Sequence, residues 1–222
     1  MKSISNPFNY GSLFFILALF ILGSCMNENM EAPQLDIEET EIAQDMDDFD
    51  DEIGAFLRKN PSNQNQLLAQ IRAATAKYHR FEVANADGYE LDHCVQHPFL
   101  GSMGHHAINE DRIKPWVIPS EPGVLMYEPT RNGRLQLIGV EYLVPAEPWD
   151  EENDAPPYLG NQVFDDHREM TLNEKGEPVN AKGGPPFPHY QLHVWLWKNN
   201  PSGMYFPFNP NVSCDYAQPV DH

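Results

Sequence analysis

Hydrophobic positions divide this chain into a helical front and a β-patterned back. Met46, Phe49, Ile53, Phe56 and Leu57 recur at three-to-four spacing and predict a short amphipathic helix. Asn60-Pro61 breaks the chain and restarts it, since proline suits a first helical turn. Leu67, Leu68, Ile71, Ala74, Tyr78 and Phe81 then mark one face of a second, longer helix, which Gly88 ends. From about Cys94 onward the period changes to two. The runs Val124–Pro129 and Arg134–Val144 flank Asn132-Gly133, which predicts a hairpin with a two-residue type I′ turn. A third strand, Tyr190–Trp197, alternates cleanly. His189, Gln191, His193, Trp195 and Trp197 share one face of it, and Leu192, Val194 and Leu196 share the other. Residues 145–188 are rich in Pro, Gly, Asp and Glu and read as a long functional or mobile loop. The fold class is α+β: two N-terminal helices on a mainly antiparallel β-sheet or small cupin-like barrel.

The first 25 residues add a compartment. Lys2 is followed by the apolar run Leu13–Leu22, and Gly23-Ser24 then precede Cys25. That run is shorter than the roughly 20 apolar residues a membrane span needs, so it reads as the core of a signal peptide. Small residues directly before a cysteine form the pattern of a bacterial lipoprotein signal. The expected organisation is a signal peptide over 1–24, an acidic tether over 25–45, and a single α+β domain over 46–222. The expected mature chain begins at a lipidated Cys25. It sits in the bacterial cell envelope, most simply on the outer membrane. The competing reading is an uncleaved N-terminal anchor with a chance cysteine.

Charge narrows the partners. The chain carries 33 acidic against 14 basic residues, a formal net charge of -19. Such a balance excludes nucleic acid, whose phosphates need Lys and Arg, and it disfavours anionic lipid headgroups, so lipid on Cys25 would be the membrane contact. Twelve of the acidic residues lie between Glu28 and Glu52 with no Lys or Arg among them, the composition of a solvated spacer. With Cys25 assigned to lipid, Cys94 and Cys214 are the remaining pair, and an oxidising compartment favours a disulfide between them. Thiolate ligation of a metal is the alternative, although neither cysteine lies in a C-x-x-C spacing.

Candidate chemistry gathers at histidines and one carboxylate. His93, His97, His105 and His106 fall close together around Gly101–Gly104, and His193 sits between hydrophobic residues. Glu141 interrupts an otherwise apolar strand, where a carboxylate is costly to bury unless paired, hydrogen-bonded or bound to a cation. Two imidazoles and a carboxylate converging on a β-scaffold form a site for one divalent transition metal, Zn, Fe, Mn or Ni. The competing arrangement pairs Glu141 with an arginine at a sheet edge and leaves the histidines structural. The aromatic residues Trp195, Trp197, Tyr205, Phe206 and Phe208 read as core or as a face for a ligand or partner. The alternative function is accordingly a non-catalytic envelope lipoprotein that binds through that face. No nucleophile elbow, P-loop or dinucleotide fingerprint is present.

Several blocks occur in a fixed order: Met103-Gly-His-His106, Tyr127-Glu-Pro129, Gly139-Val-Glu-Tyr142, His193-Val-Trp-Leu-Trp197 and Asn209-Pro-Asn-Val-Ser-Cys214. In this, residues 66–214 resemble an uncharacterised family of exported bacterial proteins with M-G-x-H, G-V-E-Y, H-V-W-L-W and N-P-x-V-S-C blocks. The resemblance implies a shared fold and places the M-G-x-H histidine on His106, the G-V-E-Y carboxylate on Glu141 and the third histidine on His193. Pro122-Gly123 departs from it, where Pro-Glu is expected. Ligating histidines nearly always donate their second N–H to a fixed acceptor. The residues expected to support the site in this way are His105, His189 and Gln191.

Overall fold

The structure, a computed structural model, describes residues 61–220, all of which fall in one compact unit. The predicted helix over Met46–Leu57, the acidic stretch and Cys25 lie outside the described residues. Helix α1 spans Pro61–Thr75 and starts at the proline, as expected. The second helix was expected to run on to Phe81, but the chain breaks. Thr75 turns its hydroxyl back to the Ile71 carbonyl at 2.6 Å, a bond that competes with the helical ladder. A 3-10 turn follows over Ala76–His79, Arg80 is extended, and α2 spans Phe81–Ala86. The apolar spacing survives this break, because Ile71, Tyr78 and Ala84 all reach the same core.

Two hairpins come next. Strands β1 (Glu90–His97) and β2 (Gly101–Ile108) pair antiparallel, as do β3 (Val124–Pro129) and β4 (Leu135–Pro145). The second hairpin turns differently from the expected two-residue form. Gly133 N–H donates to the Thr130 carbonyl and Thr130 N–H to the Arg134 carbonyl, both at 2.9 Å. The connection is therefore Arg131–Gly133, with Gly133 at φ +75°, the three-residue loop that ends in a left-handed glycine.

Residues 145–188 are not a structureless loop. They hold α3 (Ala146–Asp150), the small pair β5 (Tyr158–Leu159) and β6 (Gln162–Val163), strand β7 (Asp165–His167), and the small pair β8 (Met170–Leu172) and β9 (Pro178–Asn180). These strands are two or three residues long, too short to show a period of two. Strand β10 spans His189–Val194, ending three residues earlier than expected. Beyond it, Trp195 N–H bonds the Met204 carbonyl and Trp197 N–H the Ile138 carbonyl, so the chain leaves the ladder.

The main sheet has six strands in the order β1-β2-β3-β4-β10-β7, and it curls into a half-barrel. All its pairings are antiparallel. The α+β expectation stands at this level. One face of the sheet packs on the helices: Leu125, Tyr127, Val140, Tyr142, Leu192 and Val194 join Leu68, Ile71, Tyr78 and Ala84 in one buried cluster. The intervening residues, among them His106, Met126, Glu141 and His193, belong to the opposite face. A disulfide joins Cys94 to Cys214, with Cα atoms 5.8 Å apart, and ties the C-terminal segment to β1.

Candidate metal centre

Glu141 lies in the middle of β4, whose residues from Leu137 to Val144 are all buried. Its register partners are Val124 on β3 and His193 on β10. Residues directly opposite in an antiparallel pair share a face, so Glu141 and His193 are side by side. His106 arrives from β2 in the next row, opposite Met126, which is in turn opposite Gly139. Gly139 keeps that row low. A Cβ there would lie 2.5 Å from Met126 Cε and 2.6 Å from the Val194 carbonyl oxygen, so only glycine fits.

The three side chains converge. His106 Nε2 is 3.4 Å from Glu141 Oε2, and His193 Nε2 is 3.6 Å from Glu141 Oε1. One donor atom from each residue lies within 4.8 Å of the others. The two rings stand nearly perpendicular, at 83°. Both gaps exceed the 2.7–3.2 Å typical of an N–H···O hydrogen bond. Each gap by itself, one to either carboxylate oxygen, suits two donors on one ion, since atoms about 2.0–2.2 Å from a tetrahedral centre are about 3.3–3.6 Å apart. Both ring nitrogens of His193 are buried without a hydrogen-bond partner. Such orphaned groups are rare, because a buried polar atom left unpaired costs about 1–3 kcal/mol. Among the described residues no arginine or lysine pairs with Glu141, which removes the sheet-edge alternative.

Burial sets the protonation states. It pushes the Glu141 carboxyl up to about 8 and lowers His106 to about 4. His193 falls to about 3, through burial first and the neighbouring His106 second. Without a cation the group is therefore neutral at pH 7: a protonated carboxyl beside two neutral imidazoles. A divalent ion held by these residues would favour the ionised carboxyl, and the two imidazoles are already in the ligating form.

The residues expected to support the site direct their hydrogen bonds elsewhere. His105 faces the other way in β2, and its Nδ1 donates to the Asp92 carbonyl at 2.7 Å. His189 and Gln191 are on the right face but bond each other at 3.1 Å, and His189 Nδ1 also bonds the Phe187 carbonyl at 2.7 Å. Sequence reasoning missed His167, whose ring lies 5.2 Å from that of His189 across the β7–β10 pair. Three-residue β7 lies in a segment dominated by turn residues and carries no alternation that could have marked it. The aromatic cluster is largely packing. Trp195 is buried with Met126, Ile138 and Val212, Trp197 packs edge-on to His79, and Tyr205 accepts a hydrogen bond from Gln64. No protein-family model, curated protein or solved structure matches the chain.

Proposed function

We propose that this protein holds one divalent transition ion on His106, Glu141 and His193, in a domain anchored to the cell envelope through lipid on Cys25. The observation that carries the metal reading is His193: a fully buried imidazole with both nitrogens unpartnered, 3.6 Å from a carboxylate that itself has no hydrogen-bond donor in the group. Three protein donors leave at least one coordination position for water or a small ligand, the arrangement of a catalytic rather than a closed structural site. His106 is the most exposed of the three, at 13 %, and marks the solvent side. An ion there would act as a Lewis acid or activate bound water. The chain's own contribution is to keep both imidazoles neutral, hold the carboxylate between them, and exclude solvent from His193. The envelope reading rests on Leu13–Leu22 followed by Gly23-Ser24-Cys25.

Elemental analysis of protein extracted from its native membrane tests the first part. One equivalent of Zn, Fe, Mn or Ni, lost in Glu141→Gln, is the expected result. Protein that is metal-free and takes up none of these ions on titration would overturn it. Intact mass of the same sample tests the second part, with acyl chains on an N-terminal Cys25 expected.

A further inference from the structure

Two of this chain's acid-free runs are 93–109 and 178–214. The fold brings the ends of these two segments together. Cys94 is disulfide-bonded to Cys214, and Ser102 and Asn209 exchange backbone hydrogen bonds at 3.1 and 3.0 Å. The approach is so close that a Cβ on Gly101 would lie 2.2 Å from the Asn209 carbonyl oxygen. Out of this junction projects the β1–β2 turn, with Phe99 90 % exposed and Leu100 39 % exposed. The His97 ring lies against both Phe99 and Phe208, with centroids 6.2 and 5.2 Å apart. Backbone N–H groups of Phe99 and Leu100 both bond His97 Nδ1 at 3.2 Å, which holds the turn in this shape.

An aromatic tip free of carboxylates on a chain of net charge -19 has a physical consequence. Such a turn can enter a bilayer interface without carrying acidic side chains of its own into it. We infer that the Phe99–Leu100 turn, backed by His97 and Phe208, docks into the interfacial region of a zwitterionic lipid bilayer. This rests on the proposed lipid anchor for its strength. Pro61 follows Cys25 by 36 residues, so lipid on Cys25 keeps the start of the first described helix within about 130 Å of the bilayer even at full extension. Confinement of that kind makes a weak contact sufficient. The exposed side chain of Leu172 is the contrast: it is 66 % exposed, but Glu169, Glu174 and Glu177 flank it.

The test uses lipidated full-length mature protein in phosphatidylcholine vesicles with brominated acyl chains, carrying either Phe99→Trp or Leu172→Trp. Both positions are exposed enough to take an indole without repacking. After subtraction of the native tryptophan signal, Phe99→Trp is expected to show blue-shifted emission quenched roughly twofold by bromine, and Leu172→Trp to show neither change. Equal, unquenched emission at both positions overturns the docking. Emission from Phe99→Trp that is already blue-shifted without vesicles, and that rises with protein concentration, also overturns it, because a second copy of the chain then covers the tip. Intact mass of the same sample separates this inference from the anchor. Acylated Cys25 with an unquenched indole leaves the anchor standing and removes the docking. Free Cys25 with an indole quenched by added vesicles does the reverse.

Discussion

Two polar clusters lie on one face of the same sheet, built from the same kinds of residue and buried alike. In the first, His189 donates to the Phe187 carbonyl and meets Gln191, while His167 bonds the Gly183 carbonyl at 3.1 Å and tilts against His189. In the second, one row along β10, His193 and Glu141 lie beside His106 with no hydrogen bond among them. Burial of a histidine on a strand face is thus no sign of ligation in itself. The discriminating feature is whether the protein supplies the partner. Where it does, the histidines are held by the protein's own hydrogen bonds; where it does not, as at His193, the cluster is the one proposed to take an ion.

The comparison can be broken in several ways. Removal of the disulfide by Cys94→Ala with Cys214→Ala has the largest expected effect on stability, about 4–5 kcal/mol for a loop of sequence separation 120. Denaturant titration measures it. The bond supplies no donor to either cluster, so the folded fraction should still take up the proposed ion. Glu141→Gln should lower metal affinity by more than about 100-fold, beyond the loss typical of an outer supporting residue. Gln191→Leu should change it by less than about threefold on the same scale, read by competition with a chromogenic chelator. Equal losses in the two variants would erase the distinction between the clusters.

His189→Ala is the converse. It leaves the Phe187 carbonyl and the Gln191 amide buried without their partner and should cost about 2–3 kcal/mol of stability, with little effect on metal binding. The same contrast shows in the pH dependence of metal-free protein. Glu141, raised from 4.5 to about 8, contributes stability that is full below pH 4.5 and is lost as pH rises through 8. His106 and His193, lowered from 6.5 to about 4 and about 3, contribute stability present above 6.5 and lost as pH falls through those values. The contribution of the three together should peak at roughly pH 6–7, seen in thermal melts of chelator-treated protein. Saturating metal should remove the alkaline loss, since the carboxyl is then bound in its ionised form.

Much of the site was legible because its signals are local. Glu141 stood out as a carboxylate in an apolar strand, and the alternation in β10 correctly placed His189, Gln191 and His193 on one face. The choice of His106 over His105 came from a resemblance, and the structure agrees with it, because adjacent residues on a strand point to opposite faces. The expected support for the site was wrong for a related reason. Sharing a face with His193 does not bring His189 into contact with it, since residues four apart on a strand are separated by about 13 Å.

A period of two, readable in one strand at a time, carried which residues face together along β4 and β10. The pairing of Cys94 with Cys214 was an expectation that depended on the place given to Cys25 and was met in the structure. Only the tertiary structure decided that β10 returns beside β4 across a segment of more than forty residues, in the register that sets His193 opposite Glu141. It also decided that Trp195 is packing, that His167 meets His189, and that the tail lies on Gly101. The physical reason is that alternation is a property of one strand, whereas register and hydrogen-bond satisfaction are properties of pairs of strands distant in sequence.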